Sequence, residues 1–198
     1  SIEFKVEDTA EIQKHQMLDD VTKVEISKTD MTDSKEVPGA KLTILDKDGK
    51  VVESWVSDKD PHMVEKLPVG TYTLREEQAP DGYLVAEEVS FEVKDTGEIQ
   101  KVEMKDARPV GKLVLKKTDA EDGSPLSGAE FELRIKKSGK VVATLVTDEE
   151  GAATSGDIPI ATYKDGKMKK EIEYILVETK ATDGYVRSEK EESVVFTY

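Results

Sequence analysis

Three ionisable residues end predicted strands on the face that also carries apolar side chains. Lys28 ends VEISK, Glu76 follows in YTLRE, and Asp106 ends VEMKD, each in phase with two alternate apolar residues. Alternate side chains of a strand share a face, so all three are predicted to point inward. Lys, Glu and Asp are seldom buried without partners. Two interpretations are open: a buried salt bridge, or strand-end groups whose side chains reach solvent.

The same residue types recur in register elsewhere in the chain. Lys117 ends LVLKK as Lys28 ends its own strand, and Glu178 in YILVE corresponds to Glu76. Near the start, Asp19 in HQMLDD stands where Asp106 stands in VEMKDA. Recurrence of Lys and Glu among exposed residues that have diverged favours a repeated device over chance.

These positions belong to a longer internal repeat. Four sequence elements return in the same order: SKTD as KKTD, EVPGAKLTI as PLSGAEFEL, DKDGKVVESWVSD as KKSGKVVATLVTD, and PDGY as TDGY. Residues 4–20 also match residues 91–107. We therefore expect residues 1–20 to be the closing strands of a truncated upstream module and residues 21–107 to be a complete module. Residues 108–198 are expected to be a second module that lacks its last strand.

Short alternating strands rich in Val, Ile, Thr and Tyr, separated by Gly, Asp and Pro turns, predict the fold class. The prediction is an all-β chain of tandem immunoglobulin-like or prealbumin-like β-sandwich modules. The second module is longer between its Lys and its Glu, and an inserted hairpin near residues 163–174, closed at Asp165 and Gly166, accounts for the excess. The joint is too short for a flexible linker, which predicts a semi-rigid rod.

Composition excludes several function classes. The net charge is −14, which argues against a nucleic-acid partner. The 198 residues include no cysteine, so disulfides, thiolate nucleophiles and zinc–thiolate sites are excluded. His15 and His62, the two histidines, are far apart and have no further ligand set, so we predict no metal and no cofactor. No apolar run approaches the roughly 20 residues of a membrane span, and we predict no membrane contact in this segment.

The chain resembles the Cna B-type (SpaA-like, prealbumin-like) repeats of Gram-positive surface adhesins and pilins. The matching residues are the ISKTD and LKKTD starts, the PGA and SGA elements, LREEQAPDGY and LVETKATDGY, and the closing VEMKDA. In that family the first-strand Lys and a last-strand Asn or Asp form an isopeptide bond assisted by the Glu. The resemblance implies a bond between Lys28 and Asp106 with Glu76 as proton shuttle. It also implies an incomplete site at Lys117 and Glu178, with Asp19 an orphan partner.

Two function classes follow from the resemblance. The first is a structural stalk or shaft segment of a cell-wall-attached, extracellular protein, whose partners are neighbouring repeats and whose signal and anchor lie outside this segment. The alternative is an adhesin module that recognises a host or matrix partner through the last module. Enzymatic turnover is not expected, because isopeptide formation happens once, within its own substrate.

Overall fold

Alternating, β-branched stretches form strands throughout the chain. The computed structural model describes residues 3–7, 12, 14 and 16–196, and within them every regular element is a strand, which confirms the all-β prediction. The strands of the first module are β1 (Lys23–Asp30), β2 (Lys41–Leu45), β3 (Val51–Val56), β4 (His62–Glu65), β5 (Gly70–Gln78), β6 (Val89–Val93) and β7 (Ile99–Asp106). Those that follow are β8 (Val110–Gly111), β9 (Val114–Lys116), β10 (Glu130–Ile135), β11 (Val141–Val146), β12 (Ala152–Thr154), β13 (Ile158–Pro159), β14 (Ala161–Lys164), β15 (Lys167–Glu171), β16 (Glu173–Lys180) and β17 (Glu192–Val195).

The first module is a sandwich of two sheets. One sheet has the order β4-β1-β7 and the other has the order β3-β2-β5-β6. The core between them takes side chains from both, and its members are Val24, Ile26, Ala40, Leu42, Ile44, Val64, Leu67, Tyr72, Leu74, Val93 and Met104. Strands β1 and β7, the first and last of the module, lie side by side and run parallel, with Lys28 opposite Met104 and Asp30 opposite Asp106.

The second module repeats one of these sheets and opens the other. Its main sheet has the order β11-β10-β16-β17, which matches β3-β2-β5-β6. The opposite layer consists of short pairs, β12 with β9 and β13 with β8. In the first module β7 covers the free edge of β1, whereas within the described residues no strand pairs with the corresponding edge of β9.

The insertion is the hairpin β14–β15. Its two-residue turn consists of Asp165 and Gly166, with φ of 54° and 64°. Positive φ at both positions is the type I′ geometry that suits a tight hairpin, and Gly adopts it without strain.

The hairpin crosses the joint and packs on the first module. The Tyr163 hydroxyl donates to the Gly82 carbonyl over 2.5 Å, and the rings of Tyr83 and Tyr163 lie 5.2 Å apart. The Arg108 guanidinium lies 4.3 Å above the Tyr163 ring. A side chain at Gly82 would overlap Met168, so the two surfaces meet closely.

The described residues before position 21 are exposed and form no strand. Glu11 and His15, part of the predicted closing-strand pattern, lie outside the described residues. The described part of the chain contains no helix long and apolar enough to span a membrane.

Candidate functional site

Lys28, Glu76 and Asp106 meet inside the first module. Lys28 is near the end of β1, Asp106 is the last residue of the parallel neighbour β7, and Glu76 projects from β5 in the facing sheet. Their relative exposures are 1%, 5% and 0%. The site therefore lies between the two layers, next to the core methionine Met104.

The Lys28 amine is within hydrogen-bonding or ion-pairing distance of both carboxyl groups. Lys28 Nζ donates to Asp106 Oδ1 and lies 3.1 Å from Glu76 Oε1. The second oxygen of Glu76 accepts a 2.6 Å hydrogen bond from the Ala86 backbone N–H, which fixes the orientation of the carboxyl group. All three side chains thus project from strands rather than from loops.

The electrostatics of the site disfavour two separate carboxylates. Burial raises the pKa of Asp106 to about 6; Lys28 opposes this rise and Glu76 adds to it. Asp106 Oδ2 is buried without a hydrogen bond, and Glu76 Oε1 is buried with only the ion pair to Lys28. Buried acceptors without donors cost about 1–3 kcal/mol each. A proton shared between the carboxyl groups, or conversion of one of them to an amide, would remove that cost.

The second module contains the same arrangement without its third member. Lys117 Nζ lies 3.2 Å from Glu178, and Glu178 Oε2 accepts a 2.7 Å hydrogen bond from the Ser188 N–H, as Glu76 does from Ala86. Glu178 is 2% exposed, and its buried Oε1 lies 3.2 Å from Lys117 Nζ. The Lys117 side chain, by contrast, is 25% exposed.

A cavity of about 270 Å³ adjoins this second pair. Its lining includes Leu115, Lys117, Phe131, Leu176, Glu178 and Ser188. In the first module the corresponding space is filled from β7, whose Met104 and Asp106 are fully buried. The structure therefore brings Lys117 and Glu178 together, but no described residue occupies the position of Asp106.

Among the contacts of the described residues, Asp19 does not pair with Lys117 or Glu178 of the same chain. It is exposed and precedes β1 outside any strand.

One buried carboxylate was not singled out from the sequence. Asp30, 0% exposed, accepts hydrogen bonds of 2.6 Å from the Tyr83 hydroxyl and from Arg108. These contacts hold its pKa below the usual value although burial acts in the opposite direction. The second module repeats the pair, because the Tyr185 hydroxyl donates to Asp119 over 2.7 Å. The sequence does contain a signal for this pair. Asp30 continues the alternation that includes Lys28, and the two tyrosines are the last residues of the PDGY and TDGY elements.

The described residues contain no cluster of three or more His, Asp or Glu side chains placed to hold a metal ion. His62 instead stacks on Trp55 with ring centroids 4.3 Å apart, and its Nε2 lies 2.6 Å from Glu53.

Comparison with known proteins places these features in a family. The sequence model of the SpaA prealbumin-like fold domain matches twice, over residues 22–108 and 111–197. The structure is similar to that of the Bacillus anthracis TIE protein, with 32% sequence identity, a TM-score of 0.60 and coverage of 90% of this chain and 32% of that one. The chain therefore spans about a third of the length of that protein.

Two pilins are more distant matches. A streptococcal ancillary pilin is 19% identical with a TM-score of 0.41, over 90% of this chain and 59% of that one. BcpA, the major pilin subunit of Bacillus cereus, is 15% identical with a TM-score of 0.39, over 89% of this chain and 95% of that one. No curated protein sequence matches the chain significantly.

Proposed function

The chain belongs to the SpaA family, because it contains two tandem copies of the SpaA prealbumin-like fold domain, and we propose that it is a stalk or shaft segment of a Gram-positive cell-surface adhesin or pilin. Its task is structural: to hold another part of the same protein or assembly away from the cell wall. Its partners are neighbouring repeats. The closely packed joint between the modules supports this role, because a spacer must resist bending.

The proposal includes an isopeptide bond between Lys28 and Asp106. The observation that carries it is the enclosure of one amine and two carboxyl groups at a completely buried point, with the amine in contact with both. As ions, the three groups leave a net negative charge in the interior, and Asp106 Oδ2 has no donor. As an amide beside a protonated Glu76, the site is neutral, and the carboxyl proton has a carbonyl oxygen to bond. Burial of a neutral amide costs far less than burial of ions.

The chemistry is a condensation. Lysine attacks only as a neutral amine, and a dry environment favours the neutral forms of both amines and carboxylic acids. Lys28 Nζ adds to Asp106 Cγ while the protonated Glu76 carboxyl polarises the carbonyl oxygen. The C–O bond to the hydroxyl then breaks, Glu76 delivers the proton that makes this group leave as water, and Glu76 recovers a proton from the attacking nitrogen. Enforced contact can provide an effective molarity of about 10⁵ M, so no activated intermediate is required.

Such a bond changes how the module carries force. Tension enters before β1 and leaves after β7, and the proposed bond joins residues near the ends of both strands. The load then passes along β1, through the amide and out at Ala107. The rest of the sandwich lies outside the loaded path, so its sheets need not resist the pull.

Intact mass under denaturing conditions tests this proposal. The bonded chain is expected to be lighter than its sequence by one water, and Lys28→Arg, which keeps the charge, is expected to show the full mass. Asp106→Asn is the sharper variant. It forms the same amide with loss of ammonia, so its mass should coincide with that of the bonded parent chain. The proposal would be overturned if the parent chain and Asp106→Asn differed in mass by the difference between an Asp and an Asn residue, because neither would then have formed the amide.

Ligand recognition through the last module remains a prediction. The hairpin that suggested it directs its turn and Tyr163 at the first module, which favours a role in the joint. Binding of host matrix proteins by the isolated second module, lost on deletion of residues 163–174, would support the adhesin alternative.

A further inference from the structure

The second module carries a basic surface in a chain whose net charge is −14. Two lysine-rich stretches form it, one in the turn between β10 and β11 and the other in the inserted hairpin and the residues that follow it. Residues 136–140 and 164–173 contain seven lysines and three carboxylates, which gives these stretches a net charge of +4. The lysines, all exposed, are Lys136, Lys137, Lys140, Lys164, Lys167, Lys169 and Lys170, and we call them the lysine cluster.

The fold itself does not require this charge. The corresponding turn of the first module, between β2 and β3, balances Lys47 and Lys50 with Asp46 and Asp48. The hairpin β14–β15 is an addition, because β4 and β5 of the first module are joined by residues 66–69 without a further strand. The basic charge therefore distinguishes the second module from a first module of the same fold.

Ion pairs within the chain leave most of the cluster without a counter-charge. Lys136 Nζ lies 3.2 Å from Glu173, and Lys170 Nζ lies 4.0 Å from the same carboxylate. In the part of the chain that the structure describes, no ion pair involves the other five lysines. Like charges held close together repel one another, so an anionic partner would stabilise this surface.

Three members of the cluster border a groove of about 430 Å³. Lys136 and Lys137 line it from the β10–β11 turn, and Lys170 lines it from β15. Ile135 and Ile172, which also line it, are half-buried and pack against the core of the second module. The groove therefore has an apolar base and a cationic rim, and its volume lies within the range of about 300–1,000 Å³ that is usual for ligand sites.

The side chains of this groove indicate the class of partner. Lysine is a compact charge on a flexible stem and lacks the planar fork with which arginine reads a fixed bidentate partner. Short lysine-rich stretches are typical of patches that bind polyanions. The apolar residues of the lining are aliphatic, whereas single-stranded nucleic acids stack their bases on aromatic rings. A sugar ring, by contrast, presents a flat C–H face to aliphatic side chains and carries its anionic groups at its edge.

We propose that the lysine cluster and its groove bind a sulfated polysaccharide. Ile135 and Ile172 contact the C–H faces of the sugar rings, and the ammonium groups of the rim donate hydrogen bonds to sulfate oxygens. The acidic remainder of the chain does not prevent this, because interactions between exposed charges are largely screened beyond about 8 Å at physiological ionic strength.

The surface is compatible with the stalk role and does not depend on the proposed bond between Lys28 and Asp106. The turn of the hairpin, at Asp165 and Gly166, packs on the first module, whereas the groove lies at the opposite end of the hairpin, at Thr162 and Lys170. One hairpin can therefore hold the joint and border the binding groove at the same time.

Isothermal titration calorimetry of the whole chain with a heparin oligosaccharide of defined length tests this proposal. Binding is expected to weaken as salt concentration rises, because contacts with a polyanion release its counterions. The triple variant Lys136→Gln, Lys137→Gln, Lys170→Gln removes the cationic rim. A lysine beside a densely anionic surface contributes about a fivefold gain in affinity, so this variant is expected to bind on the order of 100-fold more weakly.

A matched triple variant controls for net charge. Lys47→Gln, Lys50→Gln, Lys59→Gln removes the same three charges from exposed positions of the first module and is expected to bind heparin almost as the parent chain does. All six positions are exposed, so both variants are expected to keep the thermal unfolding midpoint of the parent chain.

Failure of the parent chain to bind heparin would overturn the proposal, and so would an equal loss of affinity in the two triple variants. Inorganic polyphosphate that binds more tightly than heparin would replace the sulfated sugar by a phosphate polymer. A reversible dimer in sedimentation equilibrium that the rim variant abolishes would instead assign the groove to the acidic surface of a second copy. The intact mass of the same samples reports the bond between Lys28 and Asp106 separately, so loss of either result leaves the other standing.

Discussion

Replacement of Glu76 by Gln distinguishes the effect of the proposed cross-link on stability from the effect of the packing around it. Gln has the same size, and its carbonyl oxygen can still accept the 2.6 Å hydrogen bond from the Ala86 N–H. It has no acidic proton to deliver, so the condensation should stop at the ion pair of Lys28 with Asp106. The variant then has nearly the same contacts as the parent chain but lacks the covalent loop.

The size of the effect follows from the length of that loop. Lys28 and Asp106 are 78 positions apart, and in the chain-entropy description a closed loop of this length lowers the entropy of the unfolded state by about 15 cal/mol/K, or about 4.5 kcal/mol at 25 °C. A module that spans residues 22–108 has an unfolding entropy of about 180 cal/mol/K near 60 °C. The midpoint of its thermal unfolding should therefore fall by about 25 °C.

Differential scanning calorimetry, combined with intact mass, measures this difference. Glu76→Gln should show the full sequence mass and a lower midpoint for the first module. Glu178→Gln is the matched control, since it makes the same substitution in the second module and should leave the midpoint of the first module in place.

Two results would refute the reasoning in different ways. If Glu76→Gln still loses one water, Glu76 is not the proton shuttle. If the bond is absent and the midpoint falls by only a few degrees, the loop contributes far less than the entropy of closure requires.

Three other perturbations follow from the structure. Because burial raises the pKa of Asp106 to about 6, bond formation during refolding should slow as pH rises through about 6, and quenched mass spectrometry measures the rate. In the unbonded module, the raised pKa of Asp106 stabilises the fold most at pH values below the ordinary pKa of Asp. This stabilisation is lost as pH rises through about 6. Tyr83→Phe removes a donor from the buried Asp30 and should cost about 1–3 kcal/mol in chemical denaturation, whereas Tyr185→Phe, at a 44% exposed position, should cost less. Tyr163→Ala should broaden the distribution of spin-label distances between the modules without changing the mass loss; an unchanged distribution would show that the hairpin does not hold the joint.

In β1, β5 and β7, local alternation was sufficient to predict which face is buried, whereas in β3 it left the face of Trp55 unassigned. The phase of VEISKTD places Lys28 inside because its strand neighbours are core residues, and the same holds for Glu76 and Asp106. Which inward groups meet was a separate question. It depends on the parallel pairing of β1 with β7, a contact between distant residues that came from family resemblance. The chemical roles of these residues and the module boundaries at 20/21 and 107/108 remain predictions.

The local sequence pattern could not predict contacts between residues far apart in the chain. Asp165 and Gly166 predict a tight turn from their own conformational preferences, but Tyr163 meets Gly82, 81 positions away. Lys117 was predicted to point inward like Lys28, yet its side chain is 25% exposed. Alternation gives direction only, whereas enclosure needs a neighbouring strand, and the described residues provide none at that edge of β9.

The hairpin across the joint also bears on the end-to-end length of an array of such modules. Freely jointed segments increase their mean end-to-end distance with roughly the square root of their number. If every joint is held by an arm from the next module, as Tyr163 and Met168 hold this one, length instead increases in proportion to the number of repeats. Each added repeat would then contribute its whole length to the end-to-end distance.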